Sequence, residues 1–296
     1  MAWQFTPYMA VPFVATVISI TAAAYVWRRR FTPSTKPFVF LMLGVAIWSF
    51  GYGLELASAD LEAKVLFAKL QYIGIVFVPV LWLATALHHT GRGRWLTPAN
   101  IALLSVDPLV TLLLVWTNEL HGWIWDTISL ETFDNLSATN VVHGAWFWIH
   151  VTYSYLLVLL GGGMFVRSFF RSPRLYRRQA AILLLGVMVV LAGNMTYLTG
   201  LNPFSYLDLT PMTFAVSGMI LVWGLLGYRL LDIVPVARDV VVDGMNEAVF
   251  VLDGSGRAVD LNPSAQRIVG VDSSEAVGQP IDQLLREWPD ILEHSQ

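Results

Sequence analysis

Cysteine is absent from this 296-residue chain, and charged residues are scarce. Without a thiol, the chain can form no disulfide, no thiolate nucleophile and no Cys-ligated metal site. Only 13% of the residues are charged, whereas 56% are hydrophobic, and the mean hydropathy is +0.60. A soluble domain cannot bury that much apolar surface and still present a polar exterior. The composition therefore predicts an integral membrane protein, with the lipid bilayer as its surroundings.

Seven apolar runs are long enough to cross the hydrocarbon core, which takes roughly 20 residues of helix. They lie near 8–27, 38–56, 66–88, 98–116, 145–166, 180–198 and 210–228. The first run has no basic segment before it and is followed by arginines, so we interpret it as a retained span and not as a signal peptide. The predicted fold is an all-α membrane protein, with a seven-transmembrane helix bundle in residues 1–228.

Lysine is also scarce, since three lysines stand against fifteen arginines. Eleven basic residues follow spans 1, 3 and 5, namely Arg28, Arg29, Arg30, Lys36, Arg92, Arg94, Arg167, Arg171, Arg174, Arg177 and Arg178. The N-terminus and the other connections hold only Lys64 and Lys69. The positive-inside rule then places the N-terminus outside the cell and the C-terminus in the cytoplasm of a multi-pass plasma-membrane protein.

The pattern changes after the last span. Two alternating runs, 248–253 and 257–262, flank the turn Asp253-Gly254-Ser255-Gly256 and predict a β-hairpin. Asn262 is placed to cap a helix that begins with Pro263, and Gly270 is placed to end it. The sequence therefore predicts a small soluble fold, joined to the bundle by the connector 229–246.

Residues 245–270, MNEAVFVLDGSGRAVDLNPSAQRIVG, resemble the start of a PAS domain. The resemblance implies that 247–296 form the N-terminal part of this domain, a truncated α+β segment. The preceding block resembles the seven-transmembrane region at the N-terminus of bacterial and archaeal sensor histidine kinases. The stretches that carry this resemblance are YGLEL (52–56), AKLQYIGIVFVPVLW (68–82), TNELHGWIW (117–125) and LDLTPMTFAVSGMILVWGLLGYRLLDIVPVARDVV (207–241).

This resemblance implies an input module for a two-component system, in which an unknown small-molecule or physical signal controls a kinase. Such a module is expected to act as a homodimer and to reach a response regulator through a kinase part that residues 1–296 lack. Four connector residues are candidates for the signal relay: Arg229, Asp232, Pro235 and Arg238. No nucleic-acid partner is expected.

Polar residues near the outer ends of spans 2 and 3 form the first candidate site. Glu55 closes span 2, and Lys69 and Gln71 open span 3 after a short connection. We predict an ion pair between Glu55 and Lys69 beside an outward-facing pocket. The alternative is that both side chains reach the interface separately, with Lys69 extending its ammonium group to water.

A second group of polar and aromatic residues lies in and around a long outer loop, 117–144. Its members are Asn118, His121, Trp125, His143, Trp146 and His150. They fit an interfacial aromatic belt, a small-molecule pocket, or a metal or proton site. The spacing matches no recognised metal-ligand pattern, so no metal is assigned. Asn135 begins a glycosylation sequon in the same loop.

Two polar residues lie inside spans, where a charge costs about 2.5–3.5 kcal/mol on insertion scales. Asp107 stands before Pro108 in span 4, and Asn194 in span 6 is its candidate partner. The pair could be a buried structural hydrogen bond or a switch. At the start of span 7, Asp208 precedes Thr210, which we predict as the N-cap of a helix with Pro211 in its first turn.

The sequence contains no P-loop, no kinase nucleotide boxes and no GGDEF motif, so no catalytic centre is predicted. No cofactor is identified, and retinal is excluded because span 7 has no lysine to form its Schiff base. The predicted function is the membrane input region of a histidine kinase. The alternatives are the same input with a diguanylate-cyclase-type output, and a transporter or channel.

Overall fold

A computed structural model describes residues 2–30, 35–133, 136–171, 174–201, 207–227, 242 and 244–285. The chain divides into two compact units, Met1–Leu231 and Asp232–Gln296. The predicted relay residues Arg229, Asp232, Pro235 and Arg238 lie outside the described residues, as does Asn135.

The described part of the first unit contains eight α-helices. They are α1 (Ala10–Arg30), α2 (Lys36–Ala57), α3 (Leu61–Ile75), α4 (Val78–His89), α5 (Pro98–Trp116), α6 (Ala145–Arg171), α7 (Arg174–Thr199) and α8 (Thr210–Gly227). Because α3 and α4 together form one span, Leu61–His89, seven spans are long and apolar enough to cross a membrane. The predicted seven-span architecture is confirmed.

The third span differs from its prediction in two ways. It begins at Leu61, because Glu62 and Lys64 lower the local hydropathy without preventing a helix. It is also broken between Ile75 and Val78, just before Pro79, which has no N–H to donate within the helix. The earlier start places Lys64 inside the span and not at the outer surface.

The second span, α2, lies in the middle of the bundle and packs against α1, α3, α4 and α8. Glycine permits its close approach to α3, since a Cβ on Gly74 would lie 2.2 Å from the carbonyl oxygen of Gly44. Small residues at helix crossings in membranes allow such backbone contact. By contrast, α5 exposes the large apolar side chains Ile101, Leu103, Val106, Leu109 and Leu113. This surface suits contact with lipid tails.

The segment between α5 and α6 is an antiparallel hairpin and not the long loop predicted from sequence. Strand β1 (Trp125–Phe133) pairs with β2 (Leu136–His143), with Trp125 opposite His143 and an irregularity before Thr127. We call this end of the bundle, where α2, α5 and α7 end and α3, α6 and α8 begin, the hairpin end.

The second unit contains the predicted hairpin and capped helix. Strand β3 (Phe250–Leu252) pairs with β4 (Ala258–Leu261), and the helices α9 (Pro263–Val269), α10 (Ser273–Ala276) and α11 (Ile281–Leu284) follow. Asn262 accepts the N–H of Ala265 at 2.8 Å, and Gly270 ends α9 with φ 70°. Both capping predictions are confirmed. The small core of this unit includes Ala258 and Ala265.

Candidate functional site

A cavity of about 910 Å³ opens inside the hairpin end of the bundle. Its walls come from α2, α3, the start of α4, α6, α7, the start of α8 and both strands of the hairpin. The polar residues that line it include Glu55, Lys64, Gln71, Thr139, His143, His150, Ser154, Tyr155, Asn194, Tyr197, Asp208 and Thr210. A cavity of this size and mixed character is typical of a small-molecule site.

Helical periodicity explains which side chains reach the cavity. Trp48, Tyr52 and Glu55 all line it from α2, at spacings of four and three residues. Residues separated by three, four and seven positions lie on one face of a helix. The same spacing recurs on α6, where the lining residues include Phe147, Val151, Ser154 and Val158. One face of each helix therefore contributes a wall.

The Glu55 carboxylate is held by neutral donors from two other elements. Gln71 Nε2 on α3 donates to one oxygen at 2.6 Å, and Thr139 Oγ1 on β2 donates to the other at 2.9 Å. Lys64 lies close by, but its Nζ donates to the backbone oxygen of Glu55 at 2.8 Å. The side chain of Glu55 is thus hydrogen-bonded on both oxygens and remains in the cavity wall.

A second carboxyl group, that of Asp208, faces the cavity from the residue pair before α8. It accepts the N–H of Thr210 at 2.8 Å, and its own backbone N–H donates to the hydroxyl oxygen of Tyr52 at 2.7 Å. Helix α8 already begins at Thr210, so the predicted N-cap role of Thr210 is wrong. The free N–H of Thr210 at the start of the helix is accepted by Asp208. Burial, with a smaller contribution from the nearby Glu55, raises the pKa of the Asp208 carboxyl from 3.8 to about 6.

A chain of hydrogen bonds joins α6, α7 and α8 beside Asp208. Tyr155 donates its hydroxyl proton to Asn194 Oδ1 at 2.6 Å, and Asn194 Nδ2 donates to Thr210 Oγ1 at 3.0 Å. Asn194 therefore links three helices at the cavity. It is not the partner of Asp107, as the sequence had suggested.

His143 occupies the end of β2 at the cavity edge. Its ring stacks on Phe147 with centroids 3.6 Å apart, and its Nε2 lies 3.2 Å from the hydroxyl of Tyr197. Its other ring nitrogen, Nδ1, is buried with no hydrogen-bond partner among the described residues. Burial lowers the pKa of His143 from 6.5 to about 4, so the imidazole is neutral at pH 7.

Comparison with known proteins places the chain in a family. The family described as the N-terminal 7TM region of histidine kinase matches residues 11–235. The chain belongs to this family of histidine kinase 7TM regions. A PAS fold matches residues 237–293 directly afterwards, whereas no curated protein matches the sequence. The chain is thus the multi-pass membrane input module of a histidine kinase, followed by a PAS domain.

In this histidine kinase 7TM region, Asp107 pairs with His150. The Nδ1 atom of His150 lies 2.6 Å from the Oδ2 atom of Asp107, which joins α5 to α6. Thr111 stands beside the pair and accepts the indole N–H of Trp146 at 2.9 Å. His150 also lines the cavity. Its contact with Asp107 gives its polar ring a hydrogen-bonding partner inside the membrane-spanning region.

The predicted ion pair between Glu55 and Lys69 is wrong. Lys69 Nζ lies 2.5 Å from Glu119 Oε1, after α5, and 5.8 Å from the centre of the Trp116 ring. The geometry of α3 explains this partner: Lys69 is rotated by about 140° from Lys64 around the helix axis. Lys64 and Gln71, seven residues apart, share the face that reaches Glu55.

Asn118 and His121 hold the start of the hairpin. Asn118 Oδ1 accepts the N–H groups of Ile124 and Trp125 at 3.0 and 3.1 Å, and its Nδ2 donates to Trp125 O at 2.9 Å. His121 contacts Thr117 and accepts the N–H of Trp123 at 3.0 Å. Both residues therefore brace the loop and do not line the cavity. Among the described residues, no group of three or more His, Asp or Glu side chains could hold a metal ion.

Sequence reasoning missed several residues of the cavity. The sequence alone places Lys64 at the outer surface and Asp208 in a capping sequence, whereas Lys64 is 1% exposed and both residues line the cavity. Tyr52, Tyr197 and Thr139 were not considered. The signal for Tyr52 was available, because it precedes Glu55 by three residues on a helix that contains no other acid.

Proposed function

We propose that the cavity at the hairpin end is the sensory site of this kinase input module. On this proposal the hairpin end faces the outside, the C-terminus faces the cytoplasm, and the protein lies in the plasma membrane. Ligand binding changes the position of α8, and the change reaches the PAS domain and then the kinase and its response regulator. The excess of arginine and lysine after spans 1, 3 and 5 supports this orientation.

The position of α8 carries the proposal. Asp208 and Thr210, at the beginning of α8, line the cavity, and the sequence of the PAS domain follows the other end of the same helix. A ligand in the cavity therefore touches the one span that leads directly into the next domain. Shifting a two-state equilibrium from 1:99 to 99:1 takes about 5.5 kcal/mol of differential binding, which a filled pocket can supply.

The test is to fill the cavity and follow the output. Residues 1–245 are fused to the catalytic part of a reporter kinase, and Val151→Trp is introduced on the cavity wall of α6. We expect the output to become insensitive to the composition of the medium. The matched control is Ile149→Trp, two residues away on the same helix, where the side chain is 53% exposed. Equal behaviour of the two variants would contradict the proposal.

The orientation can be tested separately, because the chain has no native cysteine. Ser129→Cys on the exposed side of β1 should react with a membrane-impermeant maleimide in intact cells. Trp95→Cys, at an exposed position between α4 and α5, should react only after lysis. The reverse pattern would place the hairpin end in the cytoplasm.

We further propose that the connector transmits motion through Arg229, Asp232, Pro235 and Arg238. A stiff connector passes on a rotation or a shift, whereas a flexible linker dissipates it. Inserting one to three residues between Val236 and Met245 should change the kinase output strongly. The same insertion after Gly254, in the turn between β3 and β4, is the control. Equal tolerance at both places would exclude this relay.

A further inference from the structure

The charges that face the cavity do not balance. Three acids line it, namely Glu55, Asp208 and Glu131. The hydrogen bonds of the buried Glu55 and Asp208 side chains come from neutral donors, namely Gln71, Thr139 and Thr210. Within the described part of the chain, neither carboxylate forms an ion pair within 4.0 Å. Buried carboxylates normally have a cationic partner or a metal. Two of them in one cavity leave a place for a positive charge.

Lys64 does not fill that place. Its side chain is 1% exposed, and its Nζ donates to the backbone oxygen of Glu55 in the last turn of α2. The end of a helix carries a partial negative charge of about half a unit on its free carbonyl groups. Lys64 also attracts the carboxylate of Glu55 and offsets part of its charge. One lysine, already bonded to the C-terminus of α2, does not balance two acids.

The two histidines of the cavity wall do not fill it either. His143 is neutral at pH 7, because burial lowers its pKa to about 4. His150 Nδ1 lies 2.6 Å from Asp107 Oδ2, so this histidine is paired with Asp107 and not with the acids of the cavity. The surplus charge of the cavity at neutral pH is therefore negative.

Aromatic rings surround the same space. Tyr52, Tyr72, Trp125 and Tyr197 line the cavity near the two carboxyl groups, and Trp48 and Phe214 line its deeper part. Tyr72 and Trp125 meet edge to face with centroids 5.4 Å apart. The face of an aromatic ring attracts an ammonium group, most strongly where water is displaced. Rings and carboxylates favour the same kind of ligand.

We propose that the cavity binds a compact organic cation, an amine or quaternary ammonium compound, between Glu55, Asp208 and the aromatic walls. This inference rests on the proposed sensory function of the cavity and names the class of ligand. A carboxylate ligand would meet two acids of its own sign. A neutral apolar ligand would leave the surplus negative charge of the cavity without a counter-charge. An alkylammonium ion supplies the charge and has an apolar surface for the rings.

The experiment measures charge preference with matched probes. Purified protein containing residues 1–296, in dodecyl maltoside micelles, is titrated with choline and with 3,3-dimethylbutan-1-ol, its neutral isostere. Binding is followed by calorimetry and by tryptophan fluorescence. We expect choline to bind at least about tenfold more tightly than the alcohol, a difference of about 1.4 kcal/mol. Acetate serves as the anionic probe and should not bind.

Three variants test which acids cause the preference for choline over the neutral alcohol. Glu55→Gln and Asp208→Asn each keep a hydrogen-bonding group in place, and each should lower the affinity for choline about tenfold while leaving the alcohol unaffected. Glu119→Gln removes an acid of the same end whose side chain is 63% exposed, and it should bind choline as the wild type does. The melting temperature of each variant verifies that it is folded.

The outcomes separate the ligand class from the sensory function. Equal affinity for choline and the alcohol in the wild-type protein overturns the inference, as does a preference that survives in both cavity variants. If the reporter fusion responds to the medium but no cation preference is found, the ligand class is wrong and the sensory function stands. If the preference is found but the fusion ignores external cations and every other medium component, the sensory function is wrong.

Discussion

The acids in two parts of the bundle have different kinds of hydrogen-bonding partner. Between α5 and α6, Asp107 has a partner of opposite character, since His150 Nδ1 lies 2.6 Å from its carboxylate. In the cavity, Glu55 and Asp208 are held by neutral donors. The first arrangement is complete within the protein and is suited to hold two helices together. The second is complete only when a ligand adds a charge, which is what a receptor site requires.

The largest effect is expected where the paired acid loses its partner. His150→Leu leaves the Asp107 carboxylate, whose side chain is 14% exposed, without this partner, and removing one member of a buried pair typically costs about 3–5 kcal/mol. The free energy of unfolding, measured in mixed micelles, should fall by that amount. The double variant Asp107→Leu/His150→Leu should recover much of the loss, because no charge is left unpaired. An unchanged stability of the single variant would show that the pair does not bind the helices.

Removing the charge of an acid in the cavity should have the opposite effect and increase the free energy of unfolding. The pKa of Asp208 is raised from 3.8 to about 6, so its stabilising contribution is present below pH 4 and is lost as the pH rises through 6. Asp208→Asn keeps an acceptor for Thr210 and removes the charge. Above pH 6 this variant should be more stable than the wild type by about 2–3 kcal/mol.

The free energies of unfolding of the Asp208→Asn variant and of the wild type should be compared from pH 4 to pH 7. His143 acts in the other direction, because its lowered pKa makes the fold lose stability as the pH falls from 6.5 toward 4. That contribution is present in both proteins and cancels in the difference. A difference that is constant with pH would show that Asp208 does not titrate in this range.

A smaller effect is expected where the hairpin is attached to the bundle. Asn118→Ala removes three hydrogen bonds to Ile124 and Trp125 and should lower the stability by about 2 kcal/mol. Because β2 carries Thr139 to Glu55, the preference of the cavity for choline should weaken too. Thr132→Ala, at an exposed position on the same hairpin outside the cavity lining, is the control and should change stability by less than about 0.5 kcal/mol.

The smallest effect is expected for the lysine that the sequence had paired with Glu55. Lys69→Met breaks a pair with Glu119, whose side chain is 63% exposed, and such pairs contribute about 0–1 kcal/mol. Ligand preference in the cavity should not change. A loss of several kcal/mol, or of choline binding, would mean that Lys69 acts on the cavity after all.

The difference between the two acid sites could not be found from the sequence. Asp107 was recognised as a buried acid because it lies in an apolar run, but its partner was assigned to Asn194. The true partner is 43 residues away on a helix whose rotation depends on the whole bundle. The sequence places Glu55 at the outer end of span 2 beside a pocket, but it predicts Lys69 as its partner. The observed contact with Thr139 spans 84 residues and needs a hairpin where the sequence predicts a loop. Two runs of strand-forming residues around Asp134-Asn135 were the available signal for that hairpin.

The sequence by itself determined the seven spans, the hairpin and capped helix of the second unit, and the membership in the kinase family. These features depend on the length of apolar runs and on local capping and turn residues, which act over a few positions of the chain. Only the tertiary structure decided which acids are paired and which face an open cavity. Those partners come from elements far apart in sequence, and the rotation of each helix is set by close packing against its neighbours.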